Sequence, residues 1–553
     1  MKKVWTLLSV LVILAVLLAG CGDSKSSGSS AGSGEKVLTV AIGGEPLNLD
    51  PATGNDAVTN YIVANIYEGL FAYDTVGNPV PKLAESWTVS DDGLVYTFKI
   101  KPAVWSDGVE ITAADFVYGV KRSLNYGAAE TYYSSLISDY VAGAKDADMA
   151  PLEDMDDVMV VALDDKTLEI TLAAPCAYFL SLLTQKTYFP LRADVAPLAE
   201  STWANSKDLP FSGAFKIESY NPSSEVVLVK NDAWRDADNV ELDRIIYLVM
   251  PDQQAQLMAF ENGEIDFAMS VPQDTVKTYD GKPELFIIDP YVIDYFVTIN
   301  ATGDVTGTTG EQAGVPNPVL QDVEIRRALA FAVNREELLT VLDAGRLQYA
   351  LYGIVPKGIP GATGDFREEA DAVEHLIDYD LEAAKAIMEA KGYGPNNMLK
   401  LTYKTNDSTF HSTVAQVLQA QWKEIYVDLD IQMTELRVFF DARSQGNFDL
   451  ARHANSADYM DPMIYLNMYY SANLDAKVVN DPIYDSMIKE AESMLDPVAR
   501  MEQLHAAEEY LVKEMVYIIP LIGYSNPELL RAGITGIGTG PDGAVDFAYV
   551  RLP

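Results

Sequence analysis

The sequence has few cysteines, histidines and basic residues for a chain of 553 residues. With only Cys21 and Cys176 present, no disulfide framework is predicted, and no intrachain disulfide can form if Cys21 is modified. The four histidines are scattered without a metal-ligand spacing such as H-E-x-x-H, so neither a metal nor another cofactor is predicted. The 40 Lys and Arg stand against 81 Asp and Glu, and the formal charge of -41 argues against a nucleic-acid partner. Phosphate binding needs a concentrated positive surface.

Two short motif matches lack the context that catalysis or nucleotide binding requires. The G-x-S-x-G pattern at 28–32 lies in a Ser/Gly-rich stretch with no strand before it or helix after it. The G-x-G-x-x-G pattern at 538–543 contains Pro541 and is predicted to be a turn. Cys176 is predicted to be a small buried apolar residue and not a nucleophile. No enzymatic activity is predicted.

The N-terminus has the pattern of a secretory signal peptide over residues 1–20. Lys2 and Lys3 precede a long apolar run that ends at Cys21, a length that also fits a single transmembrane anchor. The residues Leu18-Ala19-Gly20-Cys21 resemble the lipobox of bacterial lipoproteins, which implies that Cys21 carries lipid and becomes the mature N-terminus. Residues 21–35 follow as a flexible Ser/Gly tether. The protein is therefore expected on the extracytoplasmic face of the cell membrane, held by several acyl chains.

Strand and helix patterns alternate along the rest of the chain, which predicts a mixed α/β fold. Thr112 and Asp115 predict a capping box at a helix start, and Asp380 and Gly392 bracket another helix. A single helix is predicted from Asp322 to a terminator at Gly345. Alternating apolar runs predict strands at VLTVAI, LVYTFKI, KTLEITL, EVVLVKN, IIYLVM, YFVTIN, LKLTYKT and VDLDIQM.

Several segments from about Val37 onward resemble the oligopeptide-binding proteins of ABC importers, the peptide/nickel type of solute-binding protein. The resemblance is carried by LNLDPAT, IYEGLFAYD, PKLAESWTVSDDGLVYTFKIKPAVWSDG, TAADFVYGVKR, KNDAWRDADNVELDRI, FENGEIDF and DVEIRRALAFAVNRE. The run W-S-D-G followed by T-A-x-D-F-V is highly specific to this family.

The resemblance implies a two-lobed periplasmic-binding-protein-like fold, of type II and the large cluster C form, with an extra inserted domain and a central ligand cleft. The core domain of lobe 1 is expected over 36–67, 191–291 and 525–553, the inserted domain over 68–190, and lobe 2 over 292–524. The implied function is capture of short peptides, as a monomer, for a membrane permease and its ATPase subunits. Other family ligands (metal chelates, haem or glycans) remain alternatives, as do an adhesin or chaperone role without transport and a secreted peptidase.

The stretch ARHANSADYMDP, at 451–462, holds the residues that the resemblance assigns to the peptide's amino end. Asp458 matches the acid that accepts the peptide's α-ammonium in relatives, with a loop-capping acid as the alternative. His453, Ala454, Asn455 and Ser456 are expected to offer backbone groups to an extended peptide, as an added strand does. Asn55 to Ala57 are expected to pair with the peptide's other edge.

For the peptide's carboxyl end the resemblance indicates His411, Arg443 and Arg452, with an internal salt bridge as the alternative for each arginine. Tyr295 and Phe296 match aromatic residues of the cleft wall, although strand alternation predicts that one of them belongs to the core. The chain departs from a well-studied type of relative at several positions. Asn55 replaces an acid, Asn455 a tryptophan and Asp343 a lysine, and these changes affect the expected peptide length and pocket preference.

Overall fold

The structure is a computed structural model of the full chain, and its description covers most of the residues after position 33. The described residues are 34–46, 48–53, 57–74, 77–130, 132–145, 155–196, 201–286, 292–301, 317–343, 345–371, 374–471, 478–540 and 543–553. The predicted signal peptide, Cys21, most of the tether and Asn55 lie outside them. Within these ranges, no helix combines the length and apolar character needed to cross a membrane.

A seven-stranded mixed sheet is built from distant parts of the chain. Its strands, in spatial order, are Leu285–Phe286, Glu528–Leu530, Phe267–Ala268, Val37–Ile42, Arg244–Val249, Glu225–Lys230 and Phe215–Asn221. Val37–Ile42 runs parallel to both of its neighbours. Between Leu38 and Ile42 every residue is buried except Thr39, which is half-buried. This is expected for a strand that is covered on both faces.

A six-stranded sheet forms the second large unit. In spatial order it contains Gln348–Ala350, Ile518–Tyr524, Ile293–Ile299, Leu450–Ser456, Leu399–Asn406 and Val427–Thr434. A four-stranded antiparallel sheet contains Ala84–Val89, Val95–Ile100, Thr167–Thr171 and Val160–Asp164. Two short hairpins pair Phe71–Tyr73 with Pro79–Pro81 and Gly538–Thr539 with Val545–Asp546.

Helices pack on these sheets. They are Ala57–Ile66, Ala113–Glu130, Ser135–Ser138, Phe179–Leu182, Gln253–Glu261, Thr275–Tyr279, Val323–Phe331, Arg335–Leu342, Phe366–Asp371, Leu381–Ala390, Thr409–Lys423, Leu436–Ser444, Met463–Leu466, Pro482–Ser493 and Pro497–Glu509. The predicted mixed α/β fold and all eight predicted strands are therefore confirmed.

The strands of each sheet come from the segments that were predicted to form one domain. The seven-stranded sheet uses residues before 67, between 191 and 291, and after 525, whereas the six-stranded sheet uses only residues between 292 and 524. The chain passes from one large sheet to the other twice, once between Phe286 and Ile293 and once between Tyr524 and Glu528. The two sheets are thus joined by two neighbouring segments, and the exact domain boundaries stay a prediction.

Helix caps agree with the sequence patterns, with one exception. The Asp115 carboxylate accepts from the Thr112 backbone N–H at 2.8 Å, and the Asp380 side chain accepts from the Ala383 N–H at 2.9 Å. The single helix predicted from Asp322 to Gly345 is wrong, because Asn334 caps a second helix by accepting from the Glu337 N–H.

The end of that second helix also differs from the prediction. Asp343 is the C-cap of this helix and has a positive φ of 50°, so the helix ends before Gly345. Aspartate tolerates the left-handed conformation because its side chain can hydrogen-bond locally.

Candidate ligand-binding site

The strand Leu450–Ser456, which carries five of the predicted site residues, has an open edge. Leu450–Ser456 pairs antiparallel with the buried central strand Ile293–Ile299 along its whole length. On its other side it pairs with Leu399–Asn406 only through its first two residues. From Arg452 onward, no strand in the described part of the chain covers this edge. Backbone N–H and C=O groups along it are therefore available to an added strand.

Strand alternation sends neighbouring side chains to opposite faces of the sheet. Phe296 lies opposite His453, and their rings stack with centroids 4.8 Å apart. Burial lowers the pKa of His453 well below its usual value, so this side chain is a neutral core group. Tyr295 and Phe296 are both fully buried, whereas alternation predicted burial for only one of them.

Arg452 lies on the opposite face of its strand from His453, and its charge is not neutralised nearby. Its Nε donates to Asn406 Oδ1 at 2.7 Å, and its guanidinium lies 4.7 Å from the centroid of the Phe439 ring. No carboxylate among the described residues lies within 4.0 Å of it, although the residue is only 6% exposed. Burial lowers the pKa of Arg452. A buried guanidinium without a counter-ion is suited to receive a carboxylate, for which it offers two parallel donors.

His411 lies beside Arg452, as the resemblance indicated. Its Nδ1 is 3.1 Å from the Tyr295 hydroxyl. Burial, together with the positive charge of Arg452, lowers the pKa of His411 to about 4. The imidazole is therefore neutral near pH 7 and acts through hydrogen bonds and not through charge.

Arg443 belongs to the same cluster through two phenylalanine rings. Its guanidinium lies 5.0 Å from the centroid of Phe440, and both rings that it faces are also faced by Arg452. The structure thus brings Tyr295, His411, Arg443 and Arg452 together, and their binding of a carboxylate stays a prediction. We call these four residues the cationic cluster.

Asp458 follows the end of the same strand and contacts the region predicted to be the inserted domain. The Tyr133 hydroxyl donates to Asp458 Oδ1 at 3.3 Å, and the Gln185 side-chain amide donates to the Asp458 backbone carbonyl. Asp458 is half-buried. The acid therefore lies where the six-stranded sheet meets the inserted region, between two parts of the chain that are remote in sequence.

The next residues of this loop fix its position and are structural. Tyr459 stacks on Tyr178 with ring centroids 5.1 Å apart, and the Met460 N–H donates to the Tyr73 hydroxyl at 3.1 Å. Asp461 accepts two hydrogen bonds from Arg500, at 2.7 and 2.8 Å. The stretch ARHANSADYMDP contains two acids. Asp461 belongs to the buried ion pair with Arg500, and Asp458 is not part of that pair.

Of the segment 55–57, which was expected to pair with the peptide's other edge, the structure describes only Ala57. Ala57 is the first residue of the helix Ala57–Ile66 and does not belong to a strand, and its pairing with a peptide stays a prediction. A helix start leaves backbone N–H groups unpaired, which is a different kind of hydrogen-bonding surface. Asn55 lies outside the described residues, and its role stays a prediction.

Several residues at the site had no signal in the sequence. Tyr133 and Gln185 reach Asp458 from more than 270 positions away, and Asn406 and Phe439 surround Arg452 from other elements. The described residues contain no group of three or more His, Cys, Asp or Glu that could hold a metal ion. Cys176 is buried as predicted, and burial raises the pKa of its thiol.

Comparison with known proteins gives consistent matches. The family model "Bacterial extracellular solute-binding proteins, family 5 Middle" matches residues 78–476. The dipeptide-binding protein DppE of Bacillus subtilis is 30% identical over 563 residues, which cover 99% of this chain and 98% of DppE. The periplasmic oligopeptide-binding protein OppA of Escherichia coli is 29% identical, with 98% of this chain and 96% of OppA covered.

The three-dimensional likeness agrees with these sequence matches. The solved structure of the murein tripeptide binding protein MppA of Escherichia coli has a TM-score of 0.73 at 25% identity and covers 94% of this chain and 98% of that chain. The predicted periplasmic-binding-protein-like fold is thereby confirmed. Because the family model matches most of the chain and the relatives align over nearly their full length, the chain belongs to the bacterial extracellular solute-binding proteins of family 5.

Proposed function

We propose that this protein captures short peptides outside the cytoplasm and delivers them to the permease and ATPase subunits of an ABC importer. Membership of a solute-binding family supports a binding role and not an enzymatic one. The names of the dipeptide- and oligopeptide-binding relatives support peptides as the ligand. Lipid attachment at Cys21 and a monomeric state are part of the proposal and rest on the sequence.

The observation that carries the proposal is the arrangement of opposite charges at the two ends of one open strand edge. Arg452, without a carboxylate partner among the described residues, lies near the start of the edge, and Asp458 follows its end. The edge from Arg452 to Ser456 spans about 13 Å at about 3.3 Å per residue. A peptide of a few residues in extended form carries a positive and a negative terminus with a separation of this order.

Each group then has a role that follows from its chemistry. Asp458 accepts the peptide's α-ammonium, and the backbone of His453, Ala454, Asn455 and Ser456 pairs with the peptide backbone. Arg452 and Arg443 attract the carboxylate, and neutral His411 hydrogen-bonds to it. Main-chain pairing is independent of the peptide's side chains, so the protein accepts many sequences.

Closure of two lobes explains how a peptide is retained. The contacts of Tyr133 and Gln185 with Asp458 join the inserted region to the six-stranded sheet. We assign lobe 1 to 36–67, 68–190, 191–291 and 525–553, and lobe 2 to 292–524, so these contacts form only when the lobes meet. A ligand that contacts both lobes shifts the population towards the closed state.

Thermal unfolding of the soluble form that begins after Cys21 tests the proposal. After removal of copurifying ligand, a mixture of three- to six-residue peptides should raise the midpoint by a few degrees. A ligand at 100 times its dissociation constant adds about 2.7 kcal/mol to the free energy of unfolding. The same peptides with acetylated N-termini should stabilise the protein much less, because acetylation removes the positive charge.

Two variants separate the role of Asp458 from a general loss of charge. Asp458→Asn should remove the difference between free and acetylated peptides, whereas Asp428→Asn, at an exposed position of the same six-stranded sheet, should preserve it. If neither peptide mixture stabilises the ligand-free protein, peptide capture is wrong. If acetylated peptides bind as well as free ones, Asp458 is not the ammonium acceptor.

A further inference from the structure

A cavity of about 330 Å³ lies in the seven-stranded part of the molecule, and its lining shares no residue with the cationic cluster. It is lined by Gly43, which follows the strand Val37–Ile42, and by Met269 and Ser270, which follow Phe267–Ala268. These two strands are parallel, and the carboxyl ends of parallel strands are a common place for ligands. The volume is at the lower end of the range for ligand pockets, about 300–1,000 Å³.

The cavity adjoins the second chain crossing between the two large sheets. Asn526 lines it, only two residues after Tyr524. The Tyr524 ring lies 6.4 Å from that of Tyr295 in the cationic cluster. Two residues of extended chain span about 7 Å. The chain crossing at 524–526 therefore connects the cavity to a residue that contacts the cationic cluster.

Glu528 gives the cavity an unusual chemistry. Glu528 lines the cavity and is only 5% exposed, yet its Oε2 has no hydrogen-bond partner. Within the described residues its carboxyl group makes neither a hydrogen bond nor an ion pair. Its backbone is held in the strand Glu528–Leu530, where Glu528 pairs with Phe286, so the carboxyl group cannot simply move to solvent.

The energetics of this carboxyl group favour a positively charged occupant. Burial alone raises the pKa of Glu528 to about 8, and no nearby cation opposes this effect. The residues that line the cavity include one acid and no lysine, arginine or histidine, while Gln253, Gln273 and Ser270 add polar groups. A buried carboxyl group without a partner is costly, and a cation that enters the cavity removes that cost.

We propose that the Glu528 cavity is a subsite for a lysine or arginine side chain of the bound peptide. This inference rests on the proposed peptide capture and adds a preference that main-chain recognition cannot provide. The alternative is that Glu528 is a protonated core residue with no part in binding. The two differ in one respect, which is whether the terminal charge of a ligand side chain affects affinity.

Calorimetry on the full chain in detergent micelles tests this with tripeptides that contain either lysine or norleucine. Norleucine has the four-carbon side chain of lysine without the terminal amine, so the pair isolates the charge. The peptides are Lys-Ala-Ala, Ala-Lys-Ala and Ala-Ala-Lys with their norleucine counterparts. At one position the lysine peptide should bind about tenfold to a hundredfold more tightly, the range for a buried charged hydrogen bond.

Glu528→Gln keeps the shape of the side chain and removes its ability to ionise. In this variant the lysine preference should fall below about threefold while the norleucine peptides bind as before. Glu264→Gln, at an exposed acid of the same part of the molecule, should retain the full preference.

Each outcome is informative even if Glu528→Gln fails to fold. Equal affinity of lysine and norleucine peptides for the natural protein overturns the subsite, and so does a preference that persists in Glu528→Gln. If none of the six peptides binds, peptide capture itself fails. That result is distinguishable from failure of the subsite, where the peptides bind without a preference.

Discussion

Two buried arginines show the difference between a charge that stabilises the fold and a charge that is available to a ligand. Arg500 donates two hydrogen bonds to Asp461 and lies 4.9 Å from the centroid of the Tyr178 ring. Arg452 has a comparable aromatic neighbour, Phe439, but its hydrogen-bond partner is a neutral amide. Burial raises the cost of both charges, and among the described residues a carboxylate offsets that cost for Arg500 alone of the two.

The pKa directions express the same contrast. The Asp461 carboxylate outweighs the effect of burial and raises the pKa of Arg500, whereas burial lowers the pKa of Arg452. Burial and exposure alone would not distinguish the two, since both side chains are almost inaccessible. The presence or absence of a carboxylate partner is the informative feature, and for Glu528 the same reasoning applies with the opposite sign.

The largest expected effect comes from breaking the paired charge. Asp461→Asn should lower the free energy of unfolding by about 3–5 kcal/mol, because it leaves the Arg500 guanidinium buried without its counter-ion. Urea unfolding measures this change. The matched control is Asp458→Asn, the same substitution three residues earlier at a half-buried position, which should cost much less stability. Equal losses in the two variants would contradict the structural role of Asp461.

A smaller effect, on binding and not on stability, is expected at Arg452, which has no carboxylate partner in the described part of the chain. Arg452→Gln should weaken the affinity for peptides with a free carboxyl end by about tenfold to a hundredfold, since charged hydrogen bonds contribute about 1.5–3 kcal/mol. C-terminally amidated peptides should bind both proteins with similar affinity.

The control for this prediction is Arg437→Gln, at an exposed arginine of the helix Leu436–Ser444. Calorimetric titration should show that this variant binds both classes of peptide with the same affinity as the natural protein. If Arg452→Gln weakens amidated and free peptides equally, the guanidinium supports the cleft wall and does not bind the carboxylate.

The smallest effect concerns the neutral histidine beside Arg452. The pKa of His411 is about 4 in the folded protein and about 6.5 when unfolded, so the unfolded state binds the proton first as pH falls. Stability should therefore decrease from pH 6.5 towards pH 4 and be unaffected above that range. His453, whose pKa is also lowered, contributes with the same sign.

His411→Gln should flatten this dependence by about 1 kcal/mol or less, because the side chain is only half-buried and solvent screens its charge. Thermal unfolding between pH 4 and pH 7.5 measures it. His375→Gln, at a half-buried histidine outside the cationic cluster, should leave the contribution of His411 to the slope unchanged. An unchanged slope in His411→Gln would mean that its pKa is not lowered.

Local patterns in the sequence predicted most of the elements and several of their ends. Alternating apolar residues predicted the strands, and Thr112 with Asp115 predicted a helix start, because both depend on neighbours within a few residues. The wrong prediction of a single helix across Asn334 also comes from relying on a local pattern. The apolar period continues across residues 331–335, so the pattern predicted one helix where Asn334 caps a second one.

By itself, the sequence determined the α/β class and the family, and it predicted a set of site residues from the resemblance. Only the tertiary structure decided which buried charges have partners. The partner of Arg500 lies 39 positions away, and the residues that contact Asp458 lie more than 270 positions away. No local pattern encodes such distances, because an ion pair depends on where two remote segments meet after folding. For the same physical reason, the sequence alone did not predict the cavity at Glu528.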